Sequence, residues 1–482
     1  METNYTLAAH LLRRAGFGDD PDAVNKASQL GLSRVTDAML NPDRTPDGID
    51  DAAMIAQLAK LVPENKNGFL PVLVVKMWWT YRMLMSPNPL VEKMTLFWHG
   101  HFTSKITNIG ELMLQQNQLY RDNALGNFRT LALAVSRNPA MLVYLNGNQN
   151  YKEHPNENYA RELMEIFTCG IGNYTEDDVK ASARAFSGWN LQRGKFVFNP
   201  RQHDDGLKTF MGRTGNLNGD DIVDILVAHP STATRLCEQL FTYFAYPDPK
   251  PEIIAALTQT YYKSGYDIKA VVGQILRSQA FYEAKAQNAI IKCPVQFVIG
   301  TAKMLGLTEY FKLKPEDITP QNDDARAFRS TSLTRPNGNK TGGLAALVIA
   351  MRNMGQDILA PPNVKGWDGG EDWINSTTLL ARSSFANAIA QNAMVTAMLN
   401  DDILTSELSS ASDLIDQFAI RMGPLPLSSA TRAALVDYYL NSYKEFTGDS
   451  RIQFGRKSRV RQVNRVKGLL ALIMATPEYQ VC

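Results

Sequence analysis

Apolar residues in this chain return at the helical period, segment after segment, and rarely alternate. NENYARELMEIF (156–167) is representative. Tyr159, Ala160, Leu163, Met164, Ile166 and Phe167 share one side of a 3.6-residue turn, and Asn158, Arg161, Glu162 and Glu165 share the other. A chain made mostly of such stripes has to bury helix against helix. The expected fold is therefore mainly α: one large helical domain over 1–482, a bundle-like array of helices with a few short strands and long functional loops.

Local signals divide the array. Gly16 closes a helix over 7–15, two short helices fill 19–40, and another covers 50–61. Ser86-Pro87-Asn88-Pro89 splits 69–98 into two helices, because proline removes an amide donor and restricts the residue before it. A helix pair is expected over 111–145, with a boundary at Asn138-Pro139. Thr175 to Asp178 reads as a capping box with Asp in place of the usual Glu. Helical patterns follow at 219–246, 251–264, 267–282, 288–305, 343–354, 377–399, 412–421, 428–445 and 459–475. KFVFNP (195–200) is one of few strand-like pieces. The polar stretch 313–342 reads as a long loop or insertion.

Composition narrows the function classes. With 482 residues, 44% hydrophobic, the chain can bury a large core. A net charge of +2 argues against a general nucleic-acid binder. The basic run from Arg456 to Lys467 reads as a solvated helix face opposite the stripe Val463, Val466, Leu469, Leu470 and Ile473. Of four cysteines, the closest pair, Cys237 and Cys293, lies 56 positions apart, so no thiolate zinc or redox motif is present and buried free thiols are expected. The first residues lack the basic and apolar blocks of a secretory leader, and no apolar run reaches membrane-span length. The expectation is a soluble cytoplasmic protein, or an exported one if a leader has been removed.

Four stretches concentrate side chains capable of chemistry. In FWHGHFTSK (97–105), His99 and His101 can face one metal on a strand or where a helix unwinds at Gly100; on a continuous helix they diverge by about 200°. The plainer alternative is two imidazoles packed among Phe97, Trp98 and Phe102. In HPNENYARELMEIFTCG (154–170), Glu162 and Glu165 share a face at i,i+3, a spacing that suits a metal or an acid–base pair. Ion pairs of Arg161 with Glu157 and Glu165 on an exposed helix are the alternative. NPRQHDDGLKTFMG (199–212) crowds His203, Asp204, Asp205 and Lys208 into a loop, either a site or an Asx-type turn. APPNVKGWDGGEDWINS (360–376) sets Trp367, Asp368 and Trp373 in a Gly/Pro-rich loop that would stack a sugar ring or be pinned by buried tryptophans.

Taken in order, AHLLRRAGFG, FWHGHF, NENYARELMEIFTCGIGNYTEDDVKASARAFSGW, HDDGLKTFMG and PPNVKGWDGGEDWINSTTLLAR resemble the bacterial "domain of unknown function 1800" family from about residue 7 to 480. The resemblance implies a single, mostly helical domain, a sulfatase-like partner protein and frequent export. It carries no settled catalytic residues.

Three functions are open on the residues. The leading one is an enzyme using iron, manganese or zinc on His99, His101, Glu162, Glu165, His203 and Asp204, for oxygen activation or hydrolysis, with Arg161 and Lys208 binding an anionic substrate or stabilising charge. The second is a metal-free hydrolase in which Glu162 or Glu165 with Asp204 or Asp205 forms a carboxylate pair acting on a glycan, with Trp189, Trp367, Asp368 and Trp373 as substrate contacts. The third is a non-catalytic scaffold binding a polysaccharide, peptide or protein. No nucleotide cofactor is evident.

Overall fold

The computed structural model describes residues 4–42, 47–60, 62, 67–313, 340–392, 395–396, 410–441 and 456–482, with side chains for all but 340–342 and 456–462. The expected loop at 313–342 therefore lies almost wholly outside the described residues. The helices run α1 Asn4–Arg14, α2 Pro21–Leu30, α3 Leu32–Leu40, α4 Asp51–Ala59, α5 Val72–Met85, α6 Pro89–His101, α7 Gly110–Asp122, α8 Phe128–Ser136, α9 Pro139–Tyr144, α10 Glu157–Glu162 and α11 Glu176–Ala185. They continue as α12 Gly219–Val227, α13 Pro230–Phe244, α14 Pro251–Lys263, α15 Ile268–Arg277, α16 Gln279–Tyr282, α17 Pro294–Met304, α18 Thr308–Phe311, α19 Lys340–Asn353 and α20 Ser376–Ala390. Four more span Ala411–Arg421, Ser429–Asn441, Arg456–Ala475 and Pro477–Gln480. The fold is mainly α, as expected.

Helix ends follow the predicted chemistry. Thr175 accepts from the Asp178 amide while the Asp178 carboxylate accepts from the Thr175 amide, completing the capping box. The stretch 111–145 forms three helices rather than two, because Asn127 caps α8 and Asn138 caps α9. His229-Pro230 likewise divides 219–246, with Pro230 opening α13.

Two small antiparallel hairpins are the strand content of the described residues. Trp189–Gln192 (β1) pairs with Lys195–Phe198 (β2), and Lys208–Phe210 (β3) with Arg213–Gly215 (β4). Each turns on two residues of positive φ, Arg193-Gly194 and Met211-Gly212, the conformation that matches strand twist in a two-residue hairpin.

Two apolar cores share the scaffold. One gathers residues from Ala8 to Ala286; the other joins α5, α17, α19 and α20 to the C-terminal helices. Helix α6 lies between them, giving Leu90, Met94, Phe97 and Trp98 to the first and Leu96 to the second. Its polar residues are therefore interior: Glu92 and His99 are both fully buried. All four cysteines are free thiols, three of them buried and Cys293 partly so.

Candidate functional site

Helix α6 continues through Gly100 to His101, so the two imidazoles diverge instead of facing a common point. Each has its own task. His99 Nε2 accepts the Leu359 amide at 3.0 Å, and Leu359 sits at φ +62, a strained conformation for leucine. The ring packs edge-on to Trp79 and against Trp367. His99 thus anchors the start of the Trp-bearing loop. Thr103 holds the same loop by donating to the Val364 carbonyl, and Gly366 packs so closely on the Gly100 carbonyl that a Cβ there would lie 2.9 Å from it. Burial, reinforced by the Lys76 ammonium, holds the His99 pKa down to about 3.

His101 points the other way. Its Nε2–H donates to the Phe167 carbonyl at 3.0 Å, which fixes the tautomer. Burial brings its pKa down to about 4; the Phe167 bond opposes the shift and the nearby Arg235 guanidinium adds to it. The imidazole is neutral at physiological pH.

NENYARELMEIF is not one regular helix. After Glu162 the backbone widens into a π-helical turn over Leu163–Phe167, a rare feature often found at functional sites. The carbonyls it releases are taken up individually. Leu163 accepts from the Thr168 hydroxyl at 2.5 Å, Met164 from the Gly170 amide at 2.8 Å, Glu165 from Arg235 Nη1 at 3.0 Å, and Phe167 from His101. The turn aims Glu165 at Tyr174, whose hydroxyl donates to it at 2.9 Å. Arg161 is closed on Glu176 by two 2.7 Å bonds and on Glu157 at 3.3 Å; the expected pairing with Glu165 does not form. The Glu162 side chain has no hydrogen bond among the described residues. Its half-burial raises its pKa, the Glu165 charge raises it further, and Arg161 and Lys365 oppose the rise.

These pieces meet at a cavity of about 250 Å³ lined by Gly100, His101, Glu165, Ile166, Ile171, Arg235, Gln239 and Lys365. Three segments far apart in sequence converge there: the end of α6, the π turn and the Trp-bearing loop, which contributes Lys365. Helix α13 supplies a fourth wall, Arg235 and Gln239, that carried no local motif. Their i,i+4 spacing places them on one helix face, but only the tertiary fold connects that face to Glu165. A larger crevice of about 560 Å³ is lined by Arg82 and Arg121, yet both guanidinia are already closed on Glu92, with Asp47 and Asp51 also holding Arg82.

The HDDGLK stretch forms a separate polar unit. His203 Nδ1 lies 2.9 Å from the Ser187 carbonyl, Asp204 is paired with Arg184 at 2.6 Å, and the buried Lys208 ammonium donates to the Asp204 and Gly206 carbonyls. Arg184 holds the Asp204 carboxyl down to about 2. No hydrogen bond joins this unit to the cavity among the described residues, and the Lys208 ammonium is buried inside its own loop with two of its three donors on backbone carbonyls. Trp189 is buried edge-on between Phe186 and Phe196, and Trp373 is buried with its carbonyl accepting from Thr378. Neither offers an open face for stacking. Trp367 is partly exposed beside His99, and Asp368 is exposed.

The six proposed metal ligands are thus divided between an anchor (His99), the cavity region (His101, Glu162, Glu165) and the HDDGLK unit (His203, Asp204). Among the described residues no group of three or more His, Cys, Asp or Glu side chains is placed to hold a metal ion. No described helix is long and apolar enough to cross a membrane.

The family model described as "Protein of unknown function (DUF1800)" matches residues 10–481. No curated protein and no solved structure matches the chain. With nearly its whole length covered, the chain belongs to the DUF1800 family.

Proposed function

We propose that the chain is a glycan hydrolase that works without a metal, with Glu162 and Glu165 as its acid–base pair. The observation that carries this reading is the half-buried Glu162, its pKa raised by burial and by Glu165, three residues before Glu165 in the lining of a polar cavity that four segments build together. A carboxyl whose surroundings raise its proton affinity can serve as a general acid beside a second carboxylate. Glu162 serves as the acid. Glu165, held by Tyr174, stays oriented and serves as the carboxylate partner. Trp367, on the loop that reaches the cavity through Lys365, supplies a flat apolar face for a sugar ring.

The test is release of reducing ends from a panel of oligosaccharides, with and without EDTA, by wild type, Glu162→Gln and Glu165→Gln. The reading expects turnover that survives EDTA and falls by about 100-fold or more in each variant. Turnover abolished by EDTA and restored by iron, manganese or zinc would favour the metal enzyme instead. Oligosaccharide binding with no turnover would favour the non-catalytic scaffold.

A further inference from the structure

The two cations of the cavity differ from their neighbours. Arg161 and Arg184 are each closed on a carboxylate. Arg235 makes one hydrogen bond, to the Glu165 backbone carbonyl, and has no carboxylate within ion-pair distance among the described residues. That single bond fixes the half-buried guanidinium and leaves the rest of its planar fork uncommitted. Lys365 lines the same cavity, exposed and likewise without an ion pair among the described residues.

The remaining lining sets the ligand's character. His101 is neutral, with its Nε2 proton committed to Phe167. Glu165 is the one carboxylate in the lining, and Tyr174 engages it. Arg235 and Lys365 are the two cations of the lining, set against Glu165 in the lining and Glu162 one turn before it. Gln239, one turn from Arg235, is hydrogen-bonded to the His101 ring and keeps a buried side-chain oxygen without a hydrogen-bond partner. Ile166 and Ile171 make an apolar wall. Ile171 is 73% exposed, at the tip of a loop between Gly170 and Gly172, both at positive φ. A glycine-flanked isoleucine offered to solvent at a cavity rim suits the C–H face of a ring.

We infer that the cavity takes the carboxylate of an acidic sugar residue, held by the planar fork of Arg235 and the ammonium of Lys365. A guanidinium accepts a planar carboxylate through two parallel hydrogen bonds, a fit a point charge lacks. This assignment rests on the glycan reading and specifies its substrate class: a uronic-acid-containing polymer rather than a neutral one.

Titration calorimetry of the full chain with sodium glucuronate, glucose and sodium sulfate, at fixed ionic strength, tests it. The expected result is saturable glucuronate binding, none with glucose, and about tenfold weakening in both Arg235→Gln and Lys365→Gln. Lys365 is exposed, so its variant stays informative if loss of Arg235 disturbs the π turn. Glucuronate bound no better than glucose, or equally by both variants and wild type, would overturn the assignment. So would sulfate binding without glucuronate binding, which would mark a tetrahedral oxyanion site. The two readings fail separately: glucuronate binding without oligosaccharide turnover removes the hydrolase alone, and turnover of neutral glycans without glucuronate binding removes the acidic substrate alone.

Discussion

Replacing Glu92 by alanine should cost about 3–5 kcal/mol of folding stability, the usual consequence of leaving a buried charge without its partner. The carboxylate has no exposure and takes four hydrogen bonds: from Trp79 Nε1 at 3.1 Å, Arg82 Nε at 2.9 Å, Arg121 Nε at 2.8 Å and Arg121 Nη2 at 2.9 Å. The two arginines are not equally exposed to its loss. Arg82 keeps Asp47 and Asp51, whereas Arg121 keeps the neutral side chains Asn117 and Gln118 and the Trp78 ring, with no second carboxylate among the described residues. Arg121 is the group left stranded, so Glu92→Met combined with Arg121→Met should be more stable than Glu92→Met alone. Burial raises the Glu92 pKa and the two guanidinia outweigh it, so the folded value lies below the ordinary one. Its contribution is complete above the unfolded pKa of about 4.3 and is lost as pH falls through the lower folded value. Glu92→Gln should therefore flatten the acid limb of stability in that range. Urea unfolding across pH measures all four variants. A cost below about 1 kcal/mol for Glu92→Ala, or no recovery in the double variant, would refute the reasoning.

Other consequences can be checked the same way. His10, His99 and His101 have folded pKa values near 3, 3 and 4, each because burial disfavours the charged ring. The unfolded chain binds more protons than the folded one below about pH 6.5, so stability should fall from there toward pH 4, and His101→Gln should reduce that slope. Gly366→Ala should destabilise by about 1–3 kcal/mol and displace Lys365, because a Cβ meets the Gly100 carbonyl at positive φ; Gly100→Ala, where a Cβ meets nothing, should be neutral or stabilising in thermal melts. Thr175→Ala removes a capping box and should cost about 1 kcal/mol in the same melts.

The helices were legible because their signals are local. The proline break between α5 and α6, the Thr175 cap and the stripe Val463 to Ile473 all lie within a few residues of the structure they specify. The π turn was not legible. The apolar spacing of Leu163 to Phe167 fits an α-helix equally well, and the groups that take up the released carbonyls include His101 and Arg235, each more than 60 positions away in sequence. The hairpins were half legible: KFVF alternates, but Arg193-Gly194 and Met211-Gly212 are weaker turn signals than Asn-Gly. At the candidate site, residue type located the segments but not their roles. His99 and Lys208 look chemically equipped, yet they anchor backbone, while Arg235 sits in an ordinary amphipathic helix.

Carbon-13 NMR titration of the glutamate carboxyls tests Glu162 as the proton donor most directly, with Glu162→Gln identifying its resonance. The structure predicts a Glu162 pKa above the ordinary value of about 4.3, falling in Glu165→Gln as the neighbouring charge is removed. A Glu162 that titrates at or below the ordinary value, unmoved by Glu165→Gln, would contradict the acid–base pair.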